Sequence, residues 1–318
     1  MWPFTGVKTH KLDKHANSLK KRAIWLKARG VGRTKLGRLF IDALLFPTDV
    51  RLVYRWFVHF HKREPKLFKP KTFSDKIQVW KLFSRKDKHT LYSDKLAARD
   101  FVRSRCGDFV HIPKLYWTGY DLSLARTAEL PNKFVIKPNH TSGDLIFVRD
   151  VTTFDWDGAI EKSKAWLASD FSLSVGDWVC RWIKPQLFIE ELLEDSNGEV
   201  PLDYKFFCFN GKVHFVQVDF SRYSGHKQAF YDTNFNRLPL YIGHRNLFQP
   251  YTEQAEKPKN FDHMIKISEV LSKDEPFIRI DMYDGERPIM GEIGLHPHSG
   301  LATFDPPDWE IVFGALCK

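Results

Sequence analysis

The alternation of apolar and polar positions is sharpest near the C-terminal end of the chain. In FIRIDMY, residues 277–283, a period of two puts Ile278, Ile280 and Met282 on one face and Arg279, Asp281 and Tyr283 on the other. Asp284-Gly285 supplies turn chemistry, and the return run IMGEI, residues 289–293, faces Glu292 away from Ile289 and Ile293. The pattern predicts an antiparallel hairpin. If both polar faces point the same way, Asp281 and Glu292 come within reach of one ion, with Arg279 beside them. Two hard carboxylates near a guanidinium suit Mg²⁺ plus phosphate, because oxygen ligands hold the metal and arginine takes phosphoryl charge. The plain alternative is a sheet whose solvated face merely carries charges.

A second hairpin is written even more clearly in DYKFFCF, Asn210-Gly211 and KVHFVQV, residues 203–218. Ahead of it, KFVIK (133–137) and LIFVR (145–149) read as short strands around the polar loop PNHTSGD, and QLFIEELL (186–193) reads as a buried strand ending in acids. Helical spacing appears at 72–83, at 155–168 and at 261–272. A further helix is expected from Ser93-Asp94 to about Arg105, which places Lys95 in its first turn, against the helix dipole. Residues 221–258 show little periodicity and read as a long insertion or substrate loop. Near the N-terminus, residues 23–45 mix apolar and basic positions, and residues 50–60 carry one apolar helix face expected to pack on the body.

Composition narrows the class. A 318-residue chain with 43% hydrophobic residues can bury a large core and exceeds the usual single domain. The organisation expected is a basic, mainly helical extension over 1–68, a helical region over 69–130, a lid over 131–193 and a C-terminal unit over 194–318. The formal charge is +10, and residues 8–38 hold much of the excess, with Asp13 their only acid. Such a run favours an anionic membrane surface or an acidic polysaccharide; the chain shows no recognisable nucleic-acid motif, so no specific nucleic acid is expected. Four scattered cysteines without a CxxC pair argue against structural zinc and a disulfide scaffold, which fits a reducing cytosol. No export signal or continuous apolar span of about twenty residues is present. A cytoplasmic protein is expected, with peripheral contact at the inner membrane face as a further option.

The order of the motifs is more specific than any one of them. SDKLAARDFV, KFVIKPNHTSGD, FIEELL, DYKFFCFNGKV and FIRIDMYDG…IMGEIGLHPHSG resemble, in sequence, the ATP-grasp superfamily, and within it the TupA-like family linked to cell-surface polysaccharide and teichuronopeptide synthesis. The resemblance covers roughly residues 65–313. It implies an α+β fold in which two subdomains clamp ATP, with the basic helical extension left unexplained. It also implies roles. Lys95 and Lys137 would contact the α- and β-phosphates, and His140, Thr141, Ser142 and Gly143 would form the lid loop. Glu190, Glu191 and Leu192, with Asp203, would bind adenine and ribose. Lys205 and Arg279 would act on the transferring phosphoryl group, and Asp281 and Glu292 would hold Mg²⁺. Two departures stand out: Gly294 occupies a position where relatives commonly carry a metal-binding asparagine, and the lid loop is poor in glycine.

The reaction so implied is ATP-dependent joining of a small-molecule or glycan carboxylate to an amine acceptor through an acylphosphate. His296 and His298 could orient the acceptor or serve as a base. A phosphotransferase using the same ATP site, or a non-catalytic glycan- or nucleic-acid-binding protein on a degenerate ATP-grasp body, are the alternatives.

Overall fold

The computed structural model describes residues 14–170, 172–220, 225–243 and 249–318. Lys8 and Lys11 of the basic run therefore lie outside the described residues. Two helices open the described chain: α1 (Lys14–Ala28) and α2 (Lys35–His61). Thr34 caps α2, its hydroxyl accepting from Gly37 N at 3.0 Å. Helix α2 joins the second part of the 23–45 stretch to the 50–60 face and runs straight through Pro47. Proline forfeits one backbone hydrogen bond there. The helix is held at that point by Asp49, which is fully buried and bound to Arg181 at 2.6 Å and Arg85 at 2.6 Å. Leu52, Val53, Trp56 and Phe57 are buried, as the apolar face of 50–60 predicted.

Next come α3 (Phe73–Phe83), α4 (Asp87–Ser93) and α5 (Ala97–Cys106). Lys95 is not in the first turn of a helix, as the sequence suggested; it sits in the tight connection between α4 and α5. The reason is Asp94, whose Oδ1 accepts from Leu96 N at 3.0 Å and from Asn139 Nδ2 at 3.0 Å, so the chain turns before α5 begins.

The smaller sheet comprises β1 (Leu115–Gly119), β2 (Phe134–Pro138), β3 (Ile146–Val148) and β4 (Leu187–Glu191), in the order β1-β4-β2-β3. It draws β1 from ahead of the boundary expected at 131. Helix α6 (Trp156–Ala168), capped by Asp155, packs on it over Phe134, Ile136, Leu187 and Ile189. A short α7 (Ser172–Val175) follows.

The larger sheet contains β5 (Asp203–Phe209), β6 (Lys212–Phe220), β7 (Lys227–Tyr231) and β8 (Arg237–Leu238). After β9 (Tyr241–Gly243) it takes up β10 (Gln249–Pro250), and beyond α8 (Phe261–Ser272) it adds β11 (Phe277–Tyr283) and β12 (Ile289–Gly294). The path is β10-β7-β6-β5-β11-β12, with β8 paired to β7. Within the stretch expected as a loop, 221–258, the described residues thus add β7, β8 and β10 to the sheet; residues 221–224 and 244–248 lie outside the described residues. Strand β7 is buried at four of its five positions, so it shows no alternation for a sequence reader to find. Strand β13 (Thr303–Asp305) pairs with β9, and α9 (Asp308–Leu316) closes the chain.

One face of the larger sheet packs Phe206, Val216, Val218, Ile278, Ile280 and Met282 on α5 and α8. The other face changes character along the strands. Toward one end it is aromatic, with Phe207, Phe209, Phe215, Phe230 and Phe277 against Phe73 of α3 and Phe313 of α9. Toward the other end the same face carries Asp203, Lys205, Gln217, Asp219, Arg279 and Asp281, all buried. The core ends where the polar row begins. No helix among the described residues is long and apolar enough to cross a membrane.

Candidate active site

The polar row is fixed by strand register. Glu292 of β12 faces Asp281 of β11, which faces Lys205 of β5, which faces Gln217 of β6. The expected pairing of Asp281 with Glu292 is thus realised, although the connection spans five residues and not the Asp284-Gly285 pair alone. Asp284 instead accepts from Lys259 N at 2.9 Å and Asn260 Nδ2 at 2.8 Å, pinning the approach to α8. A bulge follows the pair: Met282 faces Met290, leaving Gly291 as the extra residue beside Asp281. A Cβ on Gly291 would stand 2.9 Å from the Asp281 carbonyl oxygen, so the bulge needs a residue without one.

Arg279 is the hub. Its Nε and Nη2 donate to the two carboxylate oxygens of Asp281, both at 2.7 Å, and Nη2 also reaches Glu292 Oε1 at 3.2 Å. The alternative of a charged, solvated sheet face fails here, because Arg279 is 8% exposed and Asp281 2%. Burial works against the charge on Arg279, but the carboxylate of Asp281 carries its pKa above the ordinary arginine value. Asp281 is pushed up to about 6: burial, with Asp203 and Glu292 nearby, outweighs Arg279 and Lys205. Lys205 Nζ binds Asp203, and lies 3.1 Å from Asp219 Oδ2 and 3.6 Å from Asp281 Oδ2.

The smaller sheet supplies the opposite wall. Lys137, near the end of β2, pairs with Glu190 Oε1 of β4 at 2.6 Å, and Arg99 of α5 takes Oε2 at 2.8 Å. Glu190 therefore positions two cations. Glu191 accepts from Lys114 N and His111 Nε2, both at 2.9 Å. Lys95 is half-buried and donates to the carbonyl of Thr141; desolvation pushes its pKa below the ordinary lysine value, partly offset by Glu292. The turn of the lid loop is made at Gly143, whose φ of 82° lies in the left-handed region.

These walls enclose two adjoining pockets. The first is lined by Lys95, Lys137, Glu190, Glu191, Leu192 and Asp203, together with Ser142, Gly143, Asp281 and Glu292. The second is lined by His140, Thr141, Lys205 and Arg279, and shares Lys95, Ser142, Gly143 and Glu292 with the first. Every sequence-predicted position thus borders one pocket or the other.

The second pocket also holds His296 and His298, the histidines read from the sequence as acceptor-orienting or basic groups, together with Asp177 and Ser299, which the sequence did not single out. His296 Nδ1 stands 2.9 Å from Asp177 Oδ1, and although burial opposes it, His296 holds the Asp177 carboxyl below its ordinary pKa. An ionised carboxylate only accepts, so Nδ1 carries the proton and Nε2 is the basic nitrogen. The turn beyond His296 is left-handed at His298, Ser299 and Gly300, with φ of 47°, 56° and 67°. It is tied down from below: Lys81 Nζ of α3 donates to Ser299 Oγ at 2.7 Å and Val175 O at 2.9 Å, and Gln78 Nε2 to Ser299 O at 3.0 Å.

Two facing sheets, with lysines on one and an arginine–carboxylate group on the other, have the architecture of the ATP-grasp class. The sequence pattern of the TupA-like ATPgrasp family matches residues 75–318, and the chain belongs to that family. A search of curated proteins found no match. Among solved structures, the chain is similar to a D-alanine–D-alanine ligase from Bacillus anthracis complexed with ATP, at 15% identity and a TM-score of 0.35, over 71% of this chain and 65% of that one. It is also similar to an L-amino acid ligase from Bacillus licheniformis, at 14% identity and a TM-score of 0.42, over 80% of this chain and 56% of that one. A third likeness is to the ATP-grasp ligase PsnB complexed with a phosphomimetic variant of minimal precursor, Mg and ADP: 12% identity, TM-score 0.40, 72% of this chain and 58% of that one. The matches span less than two thirds of each of these chains.

Proposed function

We propose that this chain is an ATP- and Mg²⁺-dependent carboxylate–amine ligase working through an acylphosphate, in the synthesis of a cell-surface polysaccharide or related conjugate. The observation that carries the reading is the convergence of Lys95 and Lys137 from one wall, and of Arg279, Asp281 and Glu292 from the other, on a continuous cleft. The donor set fits magnesium. Asp281 and Glu292 are hard oxygen donors, and no group of three His, Cys, Asp or Glu side chains among the described residues is placed to hold an ion alone. The remaining ligands would arrive with the triphosphate and water, which is the coordination Mg²⁺ favours. When bound, the ion would offset charge on the β- and γ-phosphates.

In this reading Lys95 and Lys137 hold the nucleotide phosphates, Glu190 and Glu191 border the nucleoside, and Gly143 lets the lid turn over the triphosphate. The substrate carboxylate attacks the γ-phosphorus, the bond to the bridging oxygen breaks, and ADP leaves. Arg279 and Lys205 stabilise the transferring charge from positions fixed before reaction. The amine then attacks the acyl carbon, phosphate departs, and His296 Nε2, oriented by Asp177, takes the nitrogen's proton. The basic helices over 14–38 would hold the enzyme against an anionic membrane surface or acidic polysaccharide at the cytoplasmic face.

The deciding experiment is calorimetric titration of a non-hydrolysable ATP analogue with Mg²⁺ into the full chain and into Asp281→Asn/Glu292→Gln. Metal-dependent binding that weakens at least about tenfold in the double variant is expected. Equal binding in both proteins, or none in either, would sink the reading.

A further inference from the structure

The polar row does not stop at the residues the nucleotide would use. Beyond Lys205 it continues onto β6 and β7, where Asp219 faces Gln228 across the ladder. Gln228 is 2% exposed and borders the second pocket, yet neither its Nε2 nor its Oε1 has a hydrogen-bond partner among the described residues. Its neighbour Gln217, 3% exposed, donates through Nε2 to Asp219 Oδ1 at 2.6 Å, which leaves its Oε1 unmet. Thr141 Oγ1, on the lid side of the same pocket, is likewise buried and unmet. Buried polar atoms are nearly always satisfied, and a carboxamide missing all its bonds calls for an explanation.

We infer that this pocket is the acceptor site, and that Gln228 and Gln217 read vicinal hydroxyls of an amine-bearing substrate of the amino-sugar kind. The word acceptor rests on the ligase reading above; the pocket and its chemistry do not. Each hydroxyl both donates and accepts, which suits one free NH₂ group and two free carboxamide oxygens on adjacent strands. An anionic group on the ligand is disfavoured at this end, because the Asp219 carboxylate lines the pocket directly opposite Gln228. No Phe, Tyr or Trp is among the described residues lining the pocket, so an aromatic amine would find no ring to stack on. His296 lines the same pocket, within reach of an incoming nitrogen.

The test uses the full chain with Mg²⁺ and a non-hydrolysable ATP analogue, titrated with glucosamine, glycinamide and cyclohexylamine by calorimetry or saturation-transfer NMR. Glucosamine is expected to saturate, cyclohexylamine is not, and Gln228→Leu is expected to weaken glucosamine about ten- to hundredfold. The same variant removes a buried group that has no partner, so the ligand-free protein should melt about 1–4 °C higher. Unchanged glucosamine binding in Gln228→Leu, or a lowered melting point alongside the lost binding, overturns the inference. So does preference for glycinamide, which would replace the diol by a carboxamide ligand. If the nucleotide binds and glucosamine does not, the acceptor inference falls while the ligase reading stands. If the nucleotide fails and Gln228-dependent glucosamine binding persists, the pocket stands and the ligase reading falls.

Discussion

Gly294 lies directly opposite Arg279 in the β11–β12 ladder, and a Cβ placed on it would stand 3.4 Å from the guanidinium. Position 294, where the resemblance implies a metal-binding asparagine, is thus roofed by the arginine, at ordinary contact distance. Nothing in that geometry forbids a side chain. Gly294→Asn should fold and should place an additional oxygen donor next to Glu292. We expect the half-saturating Mg²⁺ concentration for nucleotide binding to fall several-fold, measured by titrating the metal at fixed nucleotide. A variant that folds and needs as much Mg²⁺ as the natural chain would remove position 294 from the metal site.

Arg279 serves the fold as well as the site. Arg279→Lys replaces a bidentate fork by a point charge, so Asp281 keeps its burial and loses its paired bonds. Breaking a buried pair costs about 3–5 kcal/mol, and a lysine that recovers part of the contact should bring this to roughly 2 kcal/mol. Turnover should drop about a hundredfold or more. Urea unfolding and single-turnover kinetics read the two effects separately.

The buried Lys81 gives a pH signature. Burial lowers its pKa to about 8, against a partial restoring effect of Asp177 and Asp49. Between about pH 8 and 10.5 the unfolded chain holds this proton and the folded chain does not, so stability rises with pH over that window. Below pH 8 both states are charged and the contribution is flat. Relative to Lys81→Met, the natural chain should gain roughly 3 kcal/mol across the window. Denaturant midpoints taken at closely spaced pH values would show it; a difference that is flat or falls between pH 8 and 10.5 contradicts the assignment.

Asp49 anchors α2 to the segment bordering the second pocket. Asp49→Ala leaves Arg181, whose side chain is fully buried, with Asp42 at 2.9 Å as its remaining carboxylate. A loss of about 3 kcal/mol is expected. Arg181 follows Cys180, Val179 and Asp177, all at the pocket wall, so acceptor binding should weaken with stability while nucleotide binding changes less. Paired titrations of the two ligands would decide this, and a selective loss of nucleotide binding would go against it.

The β11–β12 hairpin was legible because a period of two survives in FIRIDMY even though both its faces are buried: one face is aliphatic and the other charged. The change from core to site on one sheet face was legible too, in retrospect. Phe215, Gln217 and Asp219 share a face, as do Phe230 and Gln228, and the switch from aromatic to polar marks the boundary. What stayed hidden was tertiary. The bond from Arg99 to Glu190 joins residues 91 apart, and that from Arg181 to Asp49 joins residues 132 apart, with no local pattern to announce either. Strand β7 was missed for the opposite reason: a strand covered on both faces loses the alternation that identifies strands. The α4–α5 turn depended on Asn139 reaching Asp94 from the lid loop, a contact invisible to any helix rule.

Helix α2 has two unlike halves. Its C-terminal half is sunk in the body, whereas Leu36, Leu39 and Phe40 at its other end are 79%, 58% and 53% exposed. At 27 residues it spans about 40 Å. That end is nonetheless fastened, because Ile41 and Leu45 pack with Ala23 of α1, Leu173 and Trp182, so the exposed apolar stripe lies along a helix held at both ends.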